Sequence, residues 1–474
     1  MYVRERLYIG GAWVSARSGR IIPVIDPATE AQIGHVPEGD ERDIDDAAHA
    51  ARRVLGKWSG LAPERRAEYL RSICENLAAR SEELIHLVSV DVGMPRRMAA
   101  RMQVSLPIAI LGQYAELAGR FEFEQRVGNS LVIRDPLGVV GCITPWNYPL
   151  FQIATKLGPA LAAGCTVVLK PSEVAPLVTF VLAEAVEAAG VPPGVVNLVT
   201  GFGQVAGESL VTHPEVDAIS FTGSTRAGRR IAELAGRLVR PVGLELGGKS
   251  ASIILDDADL ETAVRATVNS CFLNSGQTCI ALTRMLVPQS RYEEAARLAV
   301  AAAERLTVGD PRDERTKLGP LVSAVQRDRV REFIRQGVAS GAELLTGGSE
   351  APPGLEKGFY VQPTVFGRVR PDSAIAQREI FGPVLAVMTY RDEDEAVDIA
   401  NGTPYGLSGG VWSASDARAT EVARRLRTGQ VDINGGAFNL SAPIGGYKQS
   451  GYGRELGVYG LESFTQYKSL QFRA

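Results

Sequence analysis

Gly138-Val139-Val140-Gly141-Cys142-Ile143-Thr144-Pro145-Trp146-Asn147-Tyr148-Pro149 decides the fold class of this chain. Val139–Ile143 has no charged side chain, is too short for a helix, and ends in a loop fixed by prolines. A run without a polar face belongs to a strand that is covered on both sides. Similar runs recur at 166–169, 195–199, 218–221 and 242–246, with helical segments between them. That alternation predicts an α/β fold built on a parallel sheet with helices on both faces. A second series, at 251–255, 284–287, 384–390, 409–412 and 429–433, interleaves with helices near 259–273, 290–306, 322–340 and 415–427. It predicts a second α/β unit.

Upstream, residues 7–14 read as a short β-like start with Gly10-Gly11 as its turn. Apolar spacing near 3.6 then predicts helical segments over 43–58, 63–92 and 98–118. Residues 121–124 and 131–134 alternate around Gly128-Asn129, as a hairpin does. The tail, 463–472, also alternates and is expected to pair with another sheet.

A chain of 474 residues is expected to hold two or three domains. Its net charge of −3 argues against a nucleic-acid or anionic-membrane partner. No apolar stretch follows Met1, so no signal peptide is expected and the location is read as cytoplasmic. The uncharged run 136–155 is long enough to raise the membrane question, but Pro136, Pro145, Pro149, Asn147 and Gln152 make it a strand plus a loop. Five cysteines are sparse and odd in number, which fits a reduced protein without a disulfide framework. Four scattered histidines offer no metal-ligand spacing, so no metal is expected.

Several loops carry residues suited to chemistry, and each also has a plain structural reading. Gly201-Phe202-Gly203-Gln204-Val205-Ala206 follows a strand and satisfies G-x-G-x-x-A, with Gly203 near a phosphate, or is merely a tight turn. Phe221-Thr222-Gly223-Ser224-Thr225 turns a strand into a helix; Gly223 and Ser224 suit a pyrophosphate, or Ser224 simply caps the helix. Lys170 and Glu173, around Ser172, lie just past a strand's C-terminal end, where α/β sheets bind ligands, or on a solvated loop. Glu173 there would accept both ribose hydroxyls and repel a 2′-phosphate.

Cys279 closes the polar loop Asn274-Ser275-Gly276-Gln277-Thr278, where backbone N–H groups are expected to lower its pKa. Cys74, Cys142, Cys165 and Cys271 read as small buried hydrophobes. Glu245 ends an apolar strand; burial would raise its pKa toward that of a general base, unless Lys249 pairs with it. Asn147 offers a neutral N–H donor for an oxyanion, or serves as a turn residue.

Taken together, Pro145–Pro149, Lys170–Glu173, Phe221–Thr225, Leu244–Lys249, Asn274–Cys279, Glu379-Ile380-Phe381-Gly382-Pro383 and Pro443–Lys448 resemble the aldehyde dehydrogenase superfamily over essentially the whole chain. The resemblance implies Cys279 as nucleophile, Glu245 as base for deacylation, Asn147 as oxyanion donor and Lys156 near the base. It implies NAD, in preference to NADP, held by Ile143, Pro145, Trp146, Lys170, Ser172, Glu173, Phe221, Gly223, Ser224, Leu246, Glu379 and Phe381, with Gly203 near the adenine. The substrate would be an aldehyde, oxidised through a thioester to the acid. Family likeness would place Tyr148, Phe151, Gln152, Thr155, Leu273, Phe438, Asn439, Leu440 and Ile444 around the substrate entry; none is charged, so an uncharged aldehyde is expected. Arg101 and Lys448 are the cations whose approach to the entry would alter that. The implied architecture is a cofactor domain (1–118 and 138–247), a catalytic domain (248–450) and a β-flap (119–137 and 463–474) that serves a homodimer or homotetramer. A CoA-acylating semialdehyde dehydrogenase is the nearest rival, and a cofactor-free cysteine hydrolase a rival of another class.

Overall fold

In the computed structural model, which describes residues 1–473, the first series of runs forms one eight-stranded sheet. The flap's last residue, 474, lies outside the described residues. The sheet order is Gly451–Tyr452, Val242–Glu245, Ala218–Thr222, Val139–Ile143, Thr166–Lys170, Val196–Leu198, Arg6–Ile9 and Ala12–Ser15. Its five middle strands are parallel. Alternate residues serve opposite faces, as the period of a strand requires. Val140, Cys142, Val167 and Leu169 pack with the helices Pro63–Ala78, Pro149–Ala163 and Leu177–Ala188. Val139, Ile143, Val168 and Ile219 pack with Glu41–Ser59 and Thr225–Arg237.

From Val139–Ile143 the chain steps outward to Thr166–Lys170 and Val196–Leu198, then returns to the other flank at Ala218–Thr222. Connections on either side of that pair leave in opposite directions, which opens a crevice beyond the strands' C-terminal ends.

The second series forms a seven-stranded sheet: Glu343–Thr346, Thr364–Gly367, Val384–Tyr390, Arg284–Pro288, Ala251–Ile254, Gly409–Trp412 and Asp432–Ile433. It is parallel except for the Glu343–Thr346 edge. The helices Leu260–Phe272 and Tyr292–Glu304 cover one face. Ala324–Ala339 and Asp416–Arg424 cover the other.

Some expectations shift. The segment 63–92 is two helices, broken at Ala79-Arg80. The hairpin's first arm is Glu124–Val127 rather than 121–124, while its turn stays at Gly128-Asn129. The tail, Thr465–Gln471, pairs antiparallel along the whole of Ser130–Pro136. Strands at Ile21–Ile25 and Gln32–Pro37 were not foreseen; Pro23 and Pro37 mask them. Among the described residues no helix is long and apolar enough to cross a membrane.

Candidate active site

Four strand ends build the crevice floor. Ile143 stands beside Lys170 on one side and Phe221 on the other, and Thr222 stands beside Glu245. Beyond Ile143 the chain turns through Thr144, whose N–H donates to Lys170 O at 3.2 Å. Pro145 and Trp146 are half-buried, and Asn147 is buried. The Trp146 ring meets Phe381 edge-on at 5.4 Å, so a loop of each sheet closes one wall.

Asn147 is held from both ends. Its Nδ2 donates to Gln277 O at 3.0 Å, and its own carbonyl accepts from Asn274 Nδ2 at 3.1 Å. Asn274 and Ser275 both take left-handed backbone angles. Gly276 follows at φ 76, where a Cβ would overlap the Gly382 carbonyl, so this position needs glycine. Gln277 is pinned by the Val322 N–H, which donates to its Oε1 at 2.9 Å. Tyr148 and Thr278 hydroxyls bond at 2.7 Å. This network presents Cys279 half-buried at the loop's end.

The Cys279 thiol is pushed up to about 12: burial dominates, and the Glu245 and Glu379 carboxylates add to it. Backbone N–H groups of Ile280 and Cys279 act in the expected downward direction but are outweighed. The expected lowered pKa is therefore corrected: the resting site holds a thiol. Cys74, at about 11, and Cys142, Cys165 and Cys271, at about 12, are raised by burial as well. Position, not acidity, separates Cys279 from them.

Glu245 has its pKa raised well above the carboxylate range, by burial first and then by the nearby Glu455; Lys156 and Arg454 oppose this. Its Oε1 is buried without a hydrogen-bond partner. Lys156, fully buried on the Pro149–Ala163 helix, donates to Thr222 Oγ1 at 2.6 Å and to the Glu455 carboxylate. Lys249 is not the partner of Glu245. It lines a recess with Cys279 and Glu379, its Nζ has no hydrogen-bond partner, and burial brings its pKa down to about 7. Glu455 was missed by sequence reasoning. Its only signal is a carboxylate in a short segment, Gly453-Arg454-Glu455-Leu456, after the Pro443–Lys448 motif.

Around the crevice, Lys170 Nζ donates to Glu173 Oε2 at 3.2 Å, and burial of Lys170 lowers its pKa against the pull of that carboxylate. Ser172 Oγ accepts from Val174 N–H and Ser224 Oγ from Ala227 N–H, so both also hold local turns. Leu246 is buried and lies beneath Gly228, where any side chain would strike it. Glu379 Oε1 accepts from Gly248 N–H at 3.1 Å, which joins it to the turn after Glu245. Gly203 lies farther along, in the π-helical turn Gly203–Gly207, with open space where a side chain would stand.

A cysteine, an unpartnered carboxyl and a neutral amide at the ends of two α/β units suit an enzyme that works at a carbonyl group through a covalent cysteine adduct. The chain matches the model of the aldehyde dehydrogenase family over residues 13–470 and belongs to that family. It is therefore an enzyme that acts on aldehydes. It is 49% identical over 472 residues to a 3-succinoylsemialdehyde-pyridine dehydrogenase of Pseudomonas sp, with 98% of each chain covered. It is 44% identical over 473 residues to geranial dehydrogenase of Castellaniella defragrans, again with 98% of each covered. Among solved structures, a mutant of aldehyde dehydrogenase C from Pseudomonas syringae, complexed with NAD+ and octanal, superposes with TM-score 0.98 at 44% identity, covering 98% of this chain and 96% of that one. An NAD+ complex of an aldehyde dehydrogenase from Bacillus cereus gives TM-score 0.96 at 39% identity, covering 99% and 96%.

Proposed function

We propose that this enzyme oxidises an uncharged, partly apolar aldehyde to its carboxylic acid through a thioester on Cys279, with NAD preferred over NADP. The observation that carries the reading is that the Asn147 amide is tied to the loop ending in Cys279, while a Glu245 carboxyl without a hydrogen-bond partner lies near enough to act on the Cys279 thiol.

The Cys279 sulfur gives its proton to solvent and attacks the carbonyl carbon, forming a carbon–sulfur bond while the carbonyl π bond opens to an oxyanion. Asn147 spends one amide hydrogen on Gln277 O and keeps the other for that oxyanion. The dinucleotide supplies the acceptor for the substrate's hydride. Glu245, once ionised, takes a proton from water, and the hydroxide releases the acid from Cys279. Lys156 is engaged by Thr222 and Glu455, which leaves Glu245 unsatisfied and basic when deprotonated.

The chain's own residues fit the dinucleotide. The Thr225–Arg237 helix directs its N-terminus at the crevice behind Gly223 and Ser224, as a pyrophosphate requires. Glu173 is partly exposed beside Lys170, placed to accept ribose hydroxyls and to repel a 2′-phosphate. Ile143, Pro145, Trp146, Phe221, Glu379 and Phe381 form the remaining walls. Residues 1–118 and 138–247 make the cofactor domain, 248–450 the catalytic domain, and 119–137 with 463–474 an oligomerisation flap.

An apolar substrate is supported by the entry. Tyr148, Phe151 and Phe438 form a chain of ring contacts, each 6.4 Å between centroids. One of the two cations is engaged elsewhere: Lys448 Nζ donates to Asn401 O at 2.9 Å and Thr403 O at 2.8 Å. The names of two relatives point to geranial and a pyridine semialdehyde, and one neighbour holds octanal. The test compares hexanal and benzaldehyde with succinic semialdehyde, by NADH and NADPH formation. Uncharged aldehydes are expected to lead by roughly two powers of ten in kcat/KM, the cost of desolvating an unpaired carboxylate. A faster semialdehyde, or equal use of both cofactors, overturns the corresponding part.

A further inference from the structure

We propose that Gln103 is a positioning residue for Asn147, acting through a hydrogen-bonded tie to the first turn of the Pro149–Ala163 helix. The proposal rests on the oxyanion role of Asn147 given above. Between the helices Arg96–Ala99 and Leu106–Ala118 the chain widens into a π-helical turn, Ala100–Ser105. Such turns are rare, interrupt α-helices as single bulges, and recur at functional sites.

This turn delivers Gln103, fully buried, to a neighbouring helix. Its Oε1 accepts from the N–H groups of Leu150 at 3.1 Å and Phe151 at 3.4 Å. Those are donors that a helix's first turn leaves unpaired. The helix has no cap of its own, because the Tyr148 side chain bonds Thr278 and not the helix's first N–H groups, and Pro149 fills the first position. Gln103 thus fixes the start of a helix that begins two residues after Asn147. Asn147 in turn is bound to the Cys279 loop at Gln277 and Asn274. The tie and the loop meet at one short segment, 147–151.

The chemistry of the cap matters too. Two N–H donors require an oxygen, so the amide's orientation is fixed and Nε2 is left buried without a partner. A carboxylate would satisfy both donors without that orphan. When ionised it would also bury a negative charge at the helix start that follows Asn147, and glutamine avoids this.

The test uses the full-length enzyme with Gln103→Leu, Gln103→Glu, Asn147→Ala and the double variant Asn147→Ala/Gln103→Leu. In folded Gln103→Leu, amide hydrogen exchange over 147–153 is expected to speed up, and Gln103→Glu to restore its protection. Single-turnover NADH formation in Gln103→Leu is expected to fall at least about ten-fold, with NAD affinity within about two-fold of wild type. In the Asn147→Ala background the same change is expected to cost nothing more, since coupled residues are non-additive. Unchanged exchange, unchanged turnover, or a fully additive loss overturns the proposal. If Gln103→Leu fails to fold, Gln103→Asn, which retracts the oxygen, is held to the same outcomes. An unimpaired Asn147→Ala strikes the oxyanion reading itself, and the exchange arm then still decides whether the tie exists.

Discussion

Cys279 shares its raised thiol pKa with four other cysteines, yet it alone ends a loop held by Asn274, Gln277 and Asn147. Cys279→Ala is therefore expected to lose at least roughly three powers of ten in turnover, while alanine at 74, 142, 165 or 271 keeps most of it. Spectrophotometric NADH assays of all five variants check this, and residual turnover above about one per cent in Cys279→Ala would refute a covalent nucleophile. Glu245 poses a sharper question, because burial and Glu455 hold it protonated where an ordinary carboxylate is charged. Deacylation should accelerate as pH rises through its elevated pKa, and Glu245→Gln should erase that limb. The variant should still release a burst of up to one NADH per site and then stall. Once ionised, the Glu245 carboxylate raises the Cys279 thiol, so above the elevated pKa of Glu245 the Gln variant should be alkylated by iodoacetamide as fast as wild type or faster. A missing burst together with slower alkylation would make Glu245 the base for the thiol instead.

At the scale of elements, the Leu177–Ala188 helix begins on a carboxyl from elsewhere. Asp91 Oδ2, buried at the end of Ser81–Asp91, accepts from Leu177 N–H at 2.8 Å while Oδ1 has no partner. Burial raises the Asp91 pKa to about 8, against an ordinary 3.8, and the N–H opposes this only in part. An acid whose folded pKa is raised gives stability that is complete below its unfolded pKa and is lost as pH climbs toward the folded value, by up to roughly 1.4 kcal/mol per unit. Asp91→Asn keeps the acceptor and cannot ionise. Its Tm should match wild type near about pH 4 and exceed it increasingly toward about pH 8; a pH-independent difference would show that Asp91 is not titrating in the fold. Contacts of this kind also mark where the sequence stops being legible. Both sheets could be read because Val139–Ile143 and its counterparts are apolar on two faces, a pattern that no exposed element imitates. Cys279, Glu245 and Asn147 could be read because each sits in a motif at a strand end or loop. Glu455, Gln103 and Asp91 could not: each acts across more than 40 positions of chain, through one side chain in an unremarkable segment. The Glu343–Thr346 strand was missed for another reason: it is a half-exposed, bulged edge, and its periodicity is blurred.

At the scale of the molecule, the three-stranded flap has two open sides. Its order is Thr465–Gln471, Ser130–Pro136, Glu124–Val127, so the outer strands each present a row of backbone groups with no strand partner among the described residues. Both outer strands are exposed along nearly their whole length, and they carry Val127, Tyr467 and Leu470 at 55%, 65% and 40% exposure. An open, partly apolar edge invites pairing with another chain unless charge or a bulge blocks it. Lys468 is the nearest such guard, and its ammonium is taken up by Asp135 on the adjacent strand. Arg126 and Arg134 lie over the rings of Phe472 and Tyr467, stiffening the flap as one piece. We therefore expect a homodimer or homotetramer in which this edge joins a sheet of a second copy. Light scattering at micromolar concentration should report two or four chains, and a Tyr467→Pro/Leu470→Lys double variant should shift the population toward the monomer. Proline removes a ladder donor and lysine adds charge to the edge, while Cys279 and the crevice are untouched. A wild-type monomer would refute the assembly, and an undisturbed oligomer in the variant would place the interface elsewhere on the surface.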